Sequence, residues 1–114
     1  MTLRLANITF DCIDAERVAT FWSAALGRPI DDGPSAWFAS IGRTDRSETV
    51  WLFIKVPEAK PGKNRVHVDL HSDSRAAEVA RLVGLGAQHH SDHDEHGLQW
   101  TTLADVEGNE FCVG

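Results

Sequence analysis

The chain has only two cysteines, Cys12 and Cys112, near opposite ends and in no framework spacing. A disulfide scaffold is therefore excluded, and a reducing, cytoplasmic setting is the expectation. An excess of basic charge is also missing: 11 Lys and Arg against 17 Asp and Glu give a formal net charge of −6. That balance, with no basic stripe, excludes nucleic acid and anionic membrane as main partners. No apolar run approaches the ~18 residues of a membrane span. The opening MTLRLANITF enters a strand pattern at once, with no apolar leader segment. What is present is ordinary for a folded protein, 42% hydrophobic and 25% charged residues in a chain of 114. That length is near the commonest domain size, so one domain with its own core is expected over 1–114.

The chain says nearly the same thing twice. Residues 5–27 read LANITFDCIDAERVATFWSAALG, and residues 65–86 read RVHVDLHSDSRAAEVARLVGLG. Each is an alternating strand, a short acidic turn, an amphipathic helix and a Leu-Gly stop. In the first strand Ile8, Phe10 and Cys12 alternate with Asn7, Thr9 and Asp11. In the second, Val66, Val68 and Leu70 alternate with His67, Asp69 and His71. A strand with one polar face in so small a chain either meets water or lines a pocket.

Asp14 stands at an N-cap position, and Val18, Phe21, Trp22, Ala25 and Leu26 recur at helical spacing before Gly27. Strands are predicted over 36–41 and 49–56, the latter rich in β-branched and aromatic residues. PEAKPGKN at 57–64 holds two of the four prolines and no apolar run, so it reads as the link between module one, about 1–57, and module two, about 65–114. Module two predicts a helix whose buried stripe is Ala76, Ala77, Val79, Ala80, Leu82 and Val83. Strands follow over 87–90, 98–103 and 109–113. Helices packed on one side of each sheet make the fold class α+β.

HHSDHDEHG at 89–97 contains four of the six histidines. Its spacing matches no closed zinc motif, so it reads as a solvated loop and a candidate lid, with adventitious metal binding as the alternative. On the last strand Phe111 and Val113 share one face, Glu110 and Cys112 the other. Cys112 is either an apolar filler or a reactive thiol, the second only if an imidazole lies close. His67 and Asp69 are either a general base with its carboxylate partner or a structural hydrogen bond. Trp37, Trp51, Phe53 and Trp100 lie on strands and could wall a pocket for a flat organic ligand, or belong to the core.

Three segments carry a family resemblance: LANITFDCIDAERVATFWSAALGRPI, KNRVHVDLHSD and LADVEGNEFCV. They resemble the vicinal oxygen chelate superfamily, and within it the glyoxalase-like and bleomycin-resistance-like domains; extradiol dioxygenases share the fold. The resemblance implies two βαβββ modules forming a curved mixed sheet with a cleft, commonly completed in a homodimer. Metal-dependent members offer ligands on the first, fourth, fifth and eighth strands. At the matching positions this chain has Asn7 for the usual His, nothing suitable near Trp51 to Phe53, His67 as a match, and Cys112 for the usual Glu.

The resemblance thus implies a protein taking a small organic molecule in its cleft, without the family's metal. His67 and Asp69 would be the proton-handling residues. Asn7, Thr9, Asp11, Trp37, Trp51, Phe53, Trp100, Glu110 and Cys112 would line the pocket. One alternative is a metal-dependent lyase, isomerase or dioxygenase holding a divalent ion through Asn7, His67 and Cys112, or Glu110. Another is a sequestering protein of the bleomycin-resistance kind, with no turnover.

Overall fold

The computed structural model describes residues 2–114. The chain forms two compact units, one ending at Ala59 and the other running Lys60–Gly114.

The first unit contains β1 (Asn7–Cys12), α1 (Ala15–Leu26), β2 (Phe38–Ile41) and β3 (Val50–Lys55). Its sheet has the order β1-β3-β2, with β1 parallel and β2 antiparallel to the central β3. An isolated bridge between Ile30 and Ile41 stands where a further strand would lie. The helix starts where expected: Asp14 accepts a hydrogen bond from Arg17 N at 3.3 Å, covering one of the free N–H groups of the first turn. It ends where Gly27 takes φ 66°, a left-handed conformation that glycine adopts without a Cβ clash.

One face of α1 and one face of the sheet make the core of this unit. The register pairs Ile8 with Trp51 and Phe10 with Phe53, so these four side chains share a face. Phe10 lies 5.6 Å from the Trp22 ring, 5.6 Å from Trp51 and 5.4 Å from Phe53. Trp22 is completely buried, as are Phe53 and Val18. Cys12 is buried on the same side, as its alternation with Phe10 requires.

The second unit contains β4 (Asp69–Leu70), α2 (Arg75–Gly84), β5 (Gln88–Glu95), β6 (Leu98–Ala104) and β7 (Glu110–Val113). Its sheet order is β4-β7-β6-β5, with β4 parallel to β7 and the other pairs antiparallel. In both units the first strand lies parallel beside the last, which is the internal repeat expressed as topology. Leu103, Phe111 and Val113 are buried on one face, with Leu82 of α2.

Three expectations change here. The strand predicted over 65–71 shrinks to Asp69–Leu70, and Val66 is 81% exposed rather than apolar filling. The stripe predicted on α2 reduces to Leu82, while Val83 stays exposed; the helix is short and touches the sheet along a narrow line. The tract at 89–97 is no loop or lid. It forms most of β5, an edge strand joined to β6 by a two-residue turn in which His96 (φ 53°) and Gly97 (φ 76°) both take left-handed backbone, the conformation that closes a tight hairpin. Charge hid the strand, yet an edge strand tolerates charge well, because polar side chains blunt its unpaired backbone groups.

Among the described residues no helix is long and apolar enough to cross a membrane.

Candidate functional site

The polar face of the second sheet, opposite α2, carries an open cavity of about 570 Å³. Strand parity decides what reaches it. On β7, Phe111 and Val113 turn toward the core, so Glu110 and Cys112 turn to the cavity. On β6, Thr101 and Leu103 are buried, leaving Trp100 and Thr102 on the cavity side. His67 enters from the segment before β4, and Asp69 from β4 itself.

The residues gather in a definite arrangement. A His67 ring nitrogen, an Asp69 carboxylate oxygen and Cys112 Sγ lie within 4.8 Å of one another. His67 Nε2 is 3.3 Å from Asp69 Oδ1. β4 and β7 pair Asp69 directly with Cys112, and Val68 O accepts the Cys112 amide at 3.0 Å. The convergence is therefore built on backbone, not on chance rotamers. Thr102, opposite Cys112 on β6, places its hydroxyl 3.4 Å from Sγ. Cys112 is only 6% exposed, whereas His67 and Asp69 are open to solvent.

Glu110 lines the same cavity but is held in a bracket. Its carboxylate meets Lys60 Nζ at 3.3 Å and accepts Asn64 N at 3.2 Å. Its own amide donates to Asn64 Oδ1 at 2.9 Å. Burial pushes the carboxyl upward, but the amides of Asn64 and of Glu110 itself, with the Lys60 ammonium, outweigh it and hold the pKa below the ordinary 4.5. A lowered pKa means stability that is present above the unfolded value and is lost as pH falls through the folded one. The stability difference between wild type and Glu110→Gln is thus expected to hold constant above pH 4.5 and to shrink below it. Urea titrations of both proteins across that range check this.

The other expected pocket residues divide. Trp100 lines the cavity. Trp51 and Phe53 belong to the core of the first unit. They lie on the α1 face, 5% and 0% exposed, because their register partners Ile8 and Phe10 face the helix. Parity misleads in VWLFIK: its one charged residue, Lys55, falls on the side of Trp51 and Phe53, while Val50, Leu52 and Ile54 make the other side wholly apolar. Trp37 is 71% exposed, with Lys55 Nζ 5.4 Å from its ring centre. Asn7, Thr9 and Asp11 share the face of β1 that turns away from α1.

Sequence reasoning missed Thr102, which parity with Trp100 could have found. It also missed Ser91 and His93, because the charge of this tract conceals β5. His93 stacks on Trp100 with ring centres 4.8 Å apart and an interplanar angle of 14°. On the α2 face of β5, the Thr101 hydroxyl and then the His89 ring hold the Asp92 carboxyl below its usual range.

No curated protein matches the sequence. Solved structures do match in fold. A glyoxalase/bleomycin resistance protein/dioxygenase family enzyme from Burkholderia phytofirmans PsJN has a TM-score of 0.79 at 15% identity, over 97% of each chain. A mutant of the fosfomycin resistance protein FosX from Listeria monocytogenes, complexed with Mn(II) and a dihydroxypropylphosphonic acid, has a TM-score of 0.80 at 10% identity, over 99% of this chain and 90% of that one. The bleomycin-binding protein of Streptomyces verticillus, complexed with copper(II)-bleomycin, has a TM-score of 0.66 at 15% identity, over 99% and 96%. At these identities the likeness is one of fold. A family profile reaches further: the glyoxalase-like domain matches residues 7–114. With nearly the whole chain covered, and with the repeat and the strand pairing in agreement, this protein belongs to the glyoxalase-like domain family.

Proposed function

We propose that this chain takes a small aromatic or oxygenated organic molecule into the cavity of its second unit, where His67 and Asp69 handle a proton of the bound molecule. The observation that carries the reading is the meeting of His67, Asp69 and Cys112 within 4.8 Å beside Trp100 on one cavity wall. Imidazole is the side chain whose charge changes most readily near neutral pH. A carboxylate at 3.3 Å orients that ring. Trp100 supplies apolar area for a ring or chain, and the Thr102 hydroxyl a polar anchor. Glu110 is already bound by Lys60 and Asn64, so it shapes the wall rather than moving protons. The neighbours named above carry a phosphonate and a bleomycin complex, which suits a fold used to hold small molecules.

Tryptophan fluorescence tests this reading with a panel of small aromatic and oxygenated compounds that includes bleomycin, fosfomycin and 2-naphthol. A saturable change that disappears in Trp100→Phe is expected. His67→Gln should keep the binding and abolish any chemical change found in the recovered ligand by mass spectrometry. Absence of a saturable change across the panel overturns the reading. A homodimer belongs to the same reading, and sedimentation equilibrium checks it.

A second reading follows from the donors themselves. An imidazole nitrogen, a carboxylate oxygen and a thiolate sulfur fit zinc or a similarly soft divalent ion better than magnesium or manganese. All three come from the second unit. Such an ion would hold a ligand oxygen as a Lewis acid, and His67 would then be a ligand rather than a base. Cobalt(II) added to untagged protein is expected to give a thiolate charge-transfer band that Cys112→Ser removes. Absence of that band, or a band that survives Cys112→Ser, would end this reading.

A further inference from the structure

Trp100 is the one tryptophan lining this cavity, and its surroundings are unequal on its two faces. His93 and Trp100 are direct partners across the β5–β6 pair, and their rings are nearly parallel. His93 covers one face of the indole. The His93 ring is itself held: its Nε2 lies 2.7 Å from Ser91 Oγ, two residues back on the same face of β5. A rotamer fixed by a hydrogen bond and a stack costs the indole its freedom in advance, which favours whatever packs on the other face.

That other face turns away from β5, toward β7. There the chain has Gly114, with no side chain. A Cβ built at Gly114 would sit 3.4 Å from Gln99 O and 3.5 Å from Trp100 Cβ, ordinary contact distances, so a side chain here would lie beside the base of the indole. Gly114 is nevertheless in place, donating to Leu70 O at 2.9 Å and accepting from Ser72 N at 2.9 Å. The result is a slot: a braced indole on one side, backbone on the floor, and an opening to the cavity.

We infer that this slot selects a planar, conjugated group, which stacks on Trp100 as the third layer over His93, so that His93 is a positioning residue and Gly114 a specificity-determining one. The inference rests on the binding reading above and narrows its ligand class. An indole face is apolar and flat, and stacks best with another flat π-system, whereas a puckered ring meets it only at a few hydrogens.

The test uses a matched pair of neutral probes, 2-naphthol and its saturated counterpart decahydro-2-naphthol, on wild type, His93→Ala, His93→Phe and Gly114→Leu. Wild type is expected to prefer the planar probe. His93→Ala should weaken the planar probe about three- to tenfold, the range of one aromatic pair, with little change for the saturated one. His93→Phe, which restores a stacking ring, should recover the loss. Gly114→Leu fills the slot and should weaken the planar probe at least tenfold, with the thermal midpoint unchanged. In the free protein, the indole NMR resonances of Trp100 should move in His93→Ala and return in His93→Phe.

A wild type that binds both naphthols equally overturns this inference and leaves the binding reading standing. A wild type that binds neither overturns this inference, and the binding reading falls with it only if the rest of the panel fails as well. Indole resonances indifferent to His93→Ala show that the brace is absent in solution and overturn the inference without any ligand.

Discussion

Replacing Trp22 by alanine is expected to destabilise the first unit by about 3–5 kcal/mol, the usual cost of emptying a large aromatic site in a packed core. Trp22 is 0% exposed. Its ring meets Trp51 at 5.0 Å, Phe21 at 5.3 Å and Phe10 at 5.6 Å between centres. Each such pair contributes about 0.5–1.5 kcal/mol beyond burial. Trp51 and Phe10 stand on β3 and β1, paired by the sheet, so they cannot close on the hole without breaking register. The urea midpoint should fall sharply while the slope of the transition is kept. Trp22→Phe, which keeps a ring, should lose clearly less. Equal losses for the two variants would mean that a retained ring and its bulk count for nothing at this site, and the ring packing described here would be wrong.

The second large effect is expected at Asp105, in the turn between β6 and β7. It is an aspartate only 3% exposed. Its Oδ1 accepts the amides of Glu107 at 2.9 Å and Asn109 at 3.0 Å, and the Asn109 side-chain amide reaches Oδ1 at 3.1 Å and Oδ2 at 3.0 Å. The backbone closes around it, with Asp105 N donating to Asn109 O and Gly108 N to Asp105 O. Asp105→Ala removes the acceptor and leaves several donors unanswered, each costing about 1–3 kcal/mol where water cannot replace it. A loss of about 3 kcal/mol is the expected result, read by equilibrium denaturation. Asp105→Asn keeps one carbonyl for the two backbone amides and should lose about 1 kcal/mol by the same reasoning.

Asp105 also has a functional consequence. The turn sets where β7 begins, and β7 carries Glu110 and Cys112 to the cavity. A loosened turn should raise the alkylation rate of Cys112, buried in the native protein, in step with the loss of stability. Folded Asp105→Ala protein that alkylates like wild type would show that β7 is held by its neighbours alone.

Several parts of this molecule were legible in the residues. The repeat was, because alternation and helical spacing survive divergence: buried faces need apolar side chains whatever else changes. The α1 termini were, because Asp14 and Gly27 meet local backbone requirements that no distant contact can supply. The meeting of His67, Asp69 and Cys112 was half legible. His67 and Asp69 share a strand face in sequence, but only the parallel pairing of β4 with β7 brings Cys112 to them.

Other parts were not legible, for physical reasons. In VWLFIK the charge of Lys55 falls on the side of Trp51 and Phe53, so the local pattern marks as outer the side that packs on α1. The tract HHSDHDEH was a strand in disguise. Its pairing is made by backbone groups, to which side-chain charge is nearly irrelevant on a sheet edge. His93 could be matched with Trp100 only through the register of that hairpin, and Gly114 with Trp100 only through the placement of β7 beside β6.

By itself the sequence determined the α+β repeat, the helix caps and the polar strand faces, since each follows from the local period of apolar residues or from one residue's backbone preference. Tertiary structure alone decided which polar residues share a cavity, which aromatics are core, and which ring stands free beside a glycine. Those depend on strand order and register, which are set by long-range pairing energies summed over whole strands and leave no mark on any short stretch of chain.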